Sequence, residues 1–440
     1  MNLLRSPFCR ILTPVVMFSL LAAWTPADAQ QKKKQTKSTA TVQESWDNLK
    51  GIFRKKEKTT QQGDTVPDGT NATIAPGTTQ IAVGYNFAIV LRDSNLYAWG
   101  DNRYISLAKR DMEPYYSPMH LGVGHKWKKV AARSFHRLAI RDDGSLWGWG
   151  WGNYGELGLG EKVHRADDPT RVGHDTDWVD ISTDSYVTMA LKKNGTLWVW
   201  GTNSKGSLIG KLTGNSTVYT PTQIGHDSDW TFICAGIRKC YAIKKNGTLW
   251  SWGFNTNSDI LGLGAANQMV PVPTQVGHDA DWQSLFVSHN ESDAYQAVFA
   301  IKKNGSTWVW GANHNGKLGL GSNEEIVGMT QLSSRGEWKS FNILAHYVVG
   351  LKKDGSLWAC GDMVGSYIGD NSNLTIKRTT RFVPVRIKGK WSDIRLTSGL
   401  SAGFAILADE NGRFYGFGLN DVGQLGQGKK TGILPLMPIL

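Results

Sequence analysis

The chain has 440 residues, with 49 Lys and Arg against 37 Asp and Glu, a formal charge of +12. Fifty glycines and nineteen tryptophans, without a helical apolar stripe between them, exclude a helical bundle and a disordered chain and call for many short strands joined by tight turns. Four cysteines are too few for a disulfide framework and lack zinc spacing.

In chain order, residues 1–29 read as a secretory signal. Arg5 and Arg10 accompany an apolar run from Ile11 to Trp24, and Ala27-Asp28-Ala29 is a small-x-small cleavage site before Gln30. The run is short and interrupted by Pro14, which argues against a membrane span. A secreted or periplasmic location is therefore expected. Residues 30–58 hold nine basic side chains against three acidic ones, whereas residues 59–440 hold 38 against 33. A nucleic-acid reader is expected to carry its basic excess on the folded surface, so this tail-weighted charge argues against a nucleic-acid partner. Val42, Trp46, Leu49 and Phe53 share a helical face with Lys50, Arg54, Lys55 and Lys56 around it. Residues 42–56 thus form a basic amphipathic segment able to meet an anionic membrane. Residues 59–79, rich in Thr, Gly, Asp and Pro, read as a flexible linker.

From residue 80 to 440 one unit recurs seven times. Its aromatic strand ends at Gly100, Gly150, Gly201, Gly253, Gly311, Gly361 and Gly418. In Leu191-Lys192-Lys193-Asn194-Gly195-Thr196-Leu197-Trp198, Asn-Gly predicts a type I′ hairpin turn. Alternation then puts Trp198 and Trp200 on one face and Leu197 and Val199 on the other. A glycine-rich loop follows at 153–160, echoed at 203–210, 313–321 and 420–428, then a proline-led strand such as Pro169 to Val172, then Asp-Trp and an inner strand as at Asp177-Trp178. Spacing of 50 to 58 residues accommodates the four strands of a propeller blade. The expected fold is all-β, a seven-bladed β-propeller closed by N- and C-terminal strands sharing one blade. The first copy has an inner strand at Ile81 to Gly84 without a proline-led partner, and the last ends on Leu436-Met437-Pro438-Ile439-Leu440 without an inner strand.

The string Gly144-Ser145-Leu146-Trp147-Gly148-Trp149-Gly150, then Asn153, Gly155-Glu156-Leu157-Gly158, Gly160, Pro169 and Val172, resembles the repeat of the regulator of chromosome condensation family. The resemblance implies a seven-bladed propeller that binds proteins on its loop faces. Eukaryotic members act as nuclear exchange factors for a small GTPase and bind chromatin, and secreted bacterial relatives include an inhibitor of β-lactamases. The histidine that the family places after the inner strand stands here as His136, and the signal-like leader argues against the nuclear role.

Nucleophile elbows, phosphate loops and paired zinc-ligand motifs are absent from the sequence, so neither enzyme chemistry nor a metal or cofactor is expected. His174-Asp175-Thr176-Asp177-Trp178 recurs at His226 and His278, and reads as turns that aim a core tryptophan rather than as metal ligands. Asp142-x-Gly144-x-x-Trp147 resembles a sialidase aspartate box, but other copies carry lysine in place of the aspartate and a glycosidase acid pair cannot be singled out. Cys234 and Cys240 are spaced either to pair across one hairpin or to remain buried thiols; both readings stay open.

Slots that vary among the copies are free to serve a ligand. The loops after the inner strands vary most, presenting Phe87, Arg133, Phe135, His136, Tyr186, Arg238, Lys239, His289, Tyr295, His346 and Tyr347. Trp151 and Phe254 add off-pattern aromatics just beyond the closing glycines. These residues are the expected binding ring of a non-catalytic, protein-binding scaffold, with a glycan or cell-envelope surface as the alternative ligand. For the tail, the chain from Gln30 should bind anionic vesicles in a salt-sensitive manner and the chain from Thr59 should not; equal binding by both would remove the membrane reading.

Overall fold

Hairpin turns fold each run of alternating residues back on the last, so consecutive strands pair antiparallel. The computed structural model describes residues 79–439 except 104–106, 109–110, 123, 205–207, 210–215, 256–257, 265–268, 290–291, 334–336, 364–377 and 398–402. The leader, the basic segment and all of the linker but Thr79 lie outside the described residues. Seven four-stranded sheets are present, each built from four successive strands in simple order.

Blade 1 holds β1 (Thr79–Val83), β2 (Phe87–Arg92), β3 (Asn95–Gly100) and β4 (Tyr115–Leu121), and blade 2 holds β5 (Trp127–Arg133), β6 (His136–Arg141), β7 (Leu146–Trp151) and β8 (Arg165–Arg171). Blade 3 holds β9 (Trp178–Thr183), β10 (Val187–Lys192), β11 (Leu197–Thr202) and β12 (Thr217–Gln223), and blade 4 holds β13 (Trp230–Gly236), β14 (Lys239–Lys244), β15 (Leu249–Phe254) and β16 (Met269–Gln275). Blade 5 holds β17 (Trp282–Val287), β18 (Ala297–Lys302), β19 (Thr307–Ala312) and β20 (Ile326–Gln331). Blade 6 holds β21 (Trp338–Ile343), β22 (Tyr347–Lys352), β23 (Leu357–Asp362) and β24 (Arg378–Pro384), and blade 7 holds β25 (Trp391–Leu396), β26 (Phe404–Asp409), β27 (Phe414–Leu419) and β28 (Ile433–Pro438).

The seven-bladed propeller is as expected, but the shared blade is not. β1 pairs with β2 and β28 with β27, so each terminus completes its own sheet. Among the described residues the strands run from a first strand, β1, to a fourth, β28, and make seven whole blades. The ring closes by packing instead: Ile81, Val83, Val90 and Trp99 of blade 1 share one core with Phe404, Ile406, Phe414 and Leu425 of blade 7.

A repeated polar bolt accompanies this packing. The buried Trp200 indole donates to the Glu156 carbonyl of the preceding blade at 2.7 Å, Trp252 to Leu208 at 3.2 Å and Trp310 to Ile260 at 2.8 Å. Cys360 replaces the indole with a thiol that donates to the Lys317 carbonyl at 2.8 Å. Across the closure Trp99 donates to Gln424 at 3.0 Å, the same contact as at Trp200, Trp252 and Trp310, whereas the buried Trp149 indole finds no acceptor among the described residues.

The hairpins differ from expectation in one detail. Of Lys193, Asn194 and Gly195 only Gly195 has positive φ, at 80°, and its amide donates to the Lys192 carbonyl, so the loop holds one residue more than a type I′ turn. A side chain there would meet the Ser228 carbonyl of the adjoining turn at 2.2 Å. The two-residue turn with both φ positive occurs instead at Asp93 and Ser94, the copy that lacks Asn-Gly.

The His-Asp-x-Asp-Trp segments meet those hairpins, where their aspartates hold a lysine. Lys192 Nζ lies 2.7 Å from Asp175 and 3.3 Å from Asp177, and over the rings of Trp178 and Trp198 at 4.9 and 4.4 Å. Lys244 and Lys302 repeat the clasp in blades 4 and 5. The carboxylates thus serve cation–π seats for the core tryptophans. No group of three metal-ligating side chains occurs among the described residues.

If the bolt closes the ring as it joins ordinary neighbours, Trp99→Phe and Trp200→Phe should each lower stability by about 1–2 kcal/mol in urea unfolding, the cost of a buried carbonyl left without its donor. An unchanged midpoint for Trp99→Phe alone would show that closure rests on something else.

Candidate functional site

First strands run toward one face of the ring, which therefore carries the first-hairpin loops and the long loops between third and fourth strands. The opposite face carries the Asn-Gly hairpins and the lysine clasps. Variable chemistry is thus concentrated on the first of these faces, around one mouth of the axial channel.

The long loops are held from inside by a buried asparagine. The side-chain oxygens of Asn102, Asn203, Asn313 and Asn420 each accept the amide five residues on, at 2.9 Å. Glu156 and Lys317 occupy one equivalent slot in these loops, and both are buried. Burial raises the Glu156 carboxyl to about 7, against the Tyr154 amide that it accepts at 2.9 Å. Burial lowers the Lys317 ammonium to about 7, where the Tyr295 and Ala345 carbonyls receive it. Gln424 fills the slot without charge.

Aromatic side chains gather along the rim. Tyr85, 56% exposed, lies 5.9 Å from Phe135 of the next blade. Tyr154, 50% exposed, meets Tyr186 edge-on at 5.4 Å. Tyr295 contacts both His314 at 5.4 Å and the exposed His346 at 5.0 Å. Tyr85 belongs to the variable loop after the first inner strand, whereas Tyr154 and His314 sit in the long loops after third strands and are not among the residues singled out from sequence.

The channel mouth is crossed by a polar bridge. His289, from the longest first-hairpin loop, reaches from blade 5 to the Asp184 carboxylate of blade 3, and its carbonyl accepts Arg133 Nη2 of blade 2 at 3.0 Å. Burial opposes the Asp184 charge, but His289, Arg133 and the Ser185 amide hold its pKa below the ordinary carboxylate range. Burial and then Arg133 push the His289 imidazole below its usual value, against the pull of Asp184. His289 is thereby kept neutral at pH 7.

Of the expected ring, Phe135, Tyr186, Tyr295 and His346 do reach the rim, and Arg133 and His289 the channel mouth. Three residues do not present a surface. Phe87 is buried under the Arg137 guanidinium, 3.7 Å from its ring. His136 is buried on the Thr183 hydroxyl, and burial followed by Arg137 lowers it to about 3. Lys239 is buried on the Ile237 carbonyl and the Gln296 amide oxygen. Tyr347 packs beside the core shared by blades 6 and 7. Arg238 lies over Phe254 at 5.5 Å, so that pair satisfies itself, and Trp151 is the half-buried last residue of β7 rather than a loop residue. Cys234 and Cys240 are free thiols. Cys234 is opposite Tyr241 and Cys240 opposite Ala235, a register that sends the two thiols to opposite faces of the sheet.

Fold and loop geometry together define the class: a seven-bladed β-propeller with its variable groups on one loop face. The regulator of chromosome condensation (RCC1) repeat matches residues 143–191, and a second form of the same repeat matches 79–105 and 127–156. Residues 79–105 and 127–191 thus match the RCC1 repeat, on a seven-bladed propeller fold. The ultraviolet-B receptor UVR8 of Arabidopsis thaliana is 28% identical over 250 residues, covering 55% of this chain and 54% of the receptor. A human RCC1-like G exchanging factor-like protein is 27% identical over 267 residues, covering 56% and 55%. The chain thus spans about half the length of these curated relatives. The crystal structure of Prp20p from Saccharomyces cerevisiae, described together with its binding properties to Gsp1p and histones, matches with a TM-score of 0.65 at 16% identity. That match covers 84% of this chain and 87% of Prp20p, and at such identity it shows the fold alone.

Glu156 supplies a pH test of the loop scaffold. Its folded acidity lies near 7 against 4.5 for the free group, so the unfolded chain releases the proton first and stability falls as pH rises from about 4.5 to 7. Glu156→Gln should match the natural chain at pH 4 and exceed it at pH 8 by on the order of 2 kcal/mol in denaturant unfolding. Parallel stability curves for the two proteins would show that Glu156 is ionised in the fold.

Proposed function

We propose that this propeller is a non-catalytic scaffold that binds a protein partner on the rim face, outside the cytoplasm. The observation that carries the reading is the set of exposed aromatic contacts at Tyr85–Phe135, Tyr154–Tyr186 and Tyr295–His346, on the face where repeat copies diverge. Aromatic side chains of this kind anchor interfaces because they offer large contact area for little rotamer entropy. Tyr154–Tyr186 and Tyr295–His346 meet edge-to-face, at 74° and 70°, which offers ridges for a protein surface rather than the flat platforms a sugar ring would need. That geometry favours the protein over the glycan alternative. Prp20p, of the same fold, is described with its binding to Gsp1p and histones, which supports a propeller face as a protein-binding surface.

The extracytoplasmic part of the proposal is supported by Arg5, Arg10 and the Ala27-Asp28-Ala29 site. Residues 42–56 would add contact with an anionic surface, and occlusion of the partner by the rim would make the scaffold an inhibitor. The test is quantitative capture of partner proteins by the full chain in its host. Tyr85→Ala, Tyr154→Ala and His346→Ala combined should reduce capture at least tenfold with thermal stability held within about 1 kcal/mol, as for exposed positions. Lys193→Glu with Lys245→Glu, on the opposite face, should leave capture intact. Loss with the second set and not the first would place binding on the other face, and retention on a glycan array would move the ligand to carbohydrate.

A further inference from the structure

Six inner strands open on a tryptophan, and the fourth residue after it, with its counterpart Ala82 in β1, faces the channel. Around the ring this slot reads Ala82, Ala131, Ser182, Cys234, Phe286, Asn342 and Arg395. A slot that served only the blade would repeat, as the tryptophan does; this one differs in almost every copy. All seven residues line an axial cavity of about 290 Å³. A space of that size matches the lower end of small-molecule sites.

The wall is chemically divided. Its ionisable groups are Arg133, His289, Arg395 and the Cys234 thiol, and no carboxylate is among the lining residues. Both Arg133 and Arg395 act on the His289 imidazole, which places the three basic groups within electrostatic reach of one another. Arg395 spans blades 7 and 1, its Nε donating to the Ile81 carbonyl at 3.3 Å while Nη1 pairs with Asp393 at 3.2 Å. These contacts fix the guanidinium in place. Ala82 and Ala131 leave room beside it. Phe286 and Phe341, in edge-to-face contact at 5.8 Å, supply an apolar wall from blades 5 and 6.

We propose that this cavity binds a small carboxylate with an apolar body, the carboxylate held by Arg133 and Arg395 and the body set against Phe286 and Phe341. Guanidinium groups suit the planar acceptor geometry of a carboxylate. The site is separate from the rim face and does not depend on a protein partner being bound there. Binding also couples to protons. His289 is faced by Asp184, Arg133 and Arg395; burial first and then the two arginines disfavour its charged form, and a bound carboxylate offsets the arginines and favours the imidazolium. Affinity should therefore rise as pH falls from 8 to 6.

The experiment is calorimetric titration of the full chain with phenylacetate, with its neutral isostere phenylacetamide, and with inorganic phosphate. Phenylacetate should bind at least tenfold more tightly than either of the other two, and more tightly at pH 6 than at pH 8. Arg395→Met and Arg133→Met should each weaken it about tenfold. Ala131→Leu, which fills the gap without touching a charge, should abolish binding in a chain whose thermal midpoint confirms that it is folded. The combined Tyr85→Ala, Tyr154→Ala and His346→Ala protein should bind phenylacetate normally, which separates this site from the rim. Equal binding of the amide, equal binding of phosphate, or no binding of phenylacetate up to about 10 mM would each overturn the proposal.

Discussion

The ring depends on one contact made many times: a tryptophan or its stand-in, pressed between two sheets, donating to a loop carbonyl of the blade before it. The indole contributes large apolar burial and a single donor, so it satisfies both the hydrophobic and the polar demands of the gap between sheets. A blade is a four-stranded meander with two faces to cover, and it gains its stability from its neighbours. Because Trp99 and Gln424 repeat across the chain termini what Trp200 and Glu156 do within the chain, closure needs no special device. The variants are instructive. Cys360 keeps the donor while giving up bulk, and Phe417, at the same place in blade 7, keeps bulk without a donor.

The bolt also explains how a variable loop face is tolerated. The carbonyl it uses belongs to the long loop, and the asparagine brace fixes that loop from inside. Side chains at the bolt slot are then free to differ, as glutamate, isoleucine, lysine and glutamine do at 156, 260, 317 and 424, because the interaction is made by backbone. Where the slot is charged and buried, as at Glu156 and Lys317, the fold carries an electrostatic cost that an uncharged residue would not. The opposite face has less freedom. There the lysine clasps and the close approach of Gly195 to Ser228 tie each hairpin to the following turn.

The candidate binding residues show what a comparison of repeats can read and where it stops. Divergence among the first-hairpin loops singled out one face of the ring, and Phe135, Tyr186, Tyr295 and His346 stand on it. Divergence alone does not separate an exposed side chain from one turned inward, so Phe87, His136 and Lys239 entered the same group although they are buried. The opposite omission is Arg395. Its slot varies as strongly as any loop, yet it lies inside a strand, where variation reads as packing unless the channel is known to be there.

The sequence by itself determined the number of blades, the strand types, the tryptophan face and the loops that vary, because each rests on a local period or turn repeated seven times. It could not determine how the ring closes. The repeat has no intrinsic beginning, and the match over residues 143–191 takes two strands from blade 2 and two from blade 3. Which strands share a sheet is settled by packing: tight hairpins join the first three strands of a blade, a long loop brings back the fourth, and the turn before the next inner strand crosses from the outer edge of one blade to the inner edge of the next. Tertiary structure alone likewise decided that Asp184 and His289, 105 residues apart, would meet across the channel mouth. Contacts of that kind depend on the ring's diameter and on where each inner strand ends, quantities that exist only once all seven sheets have packed.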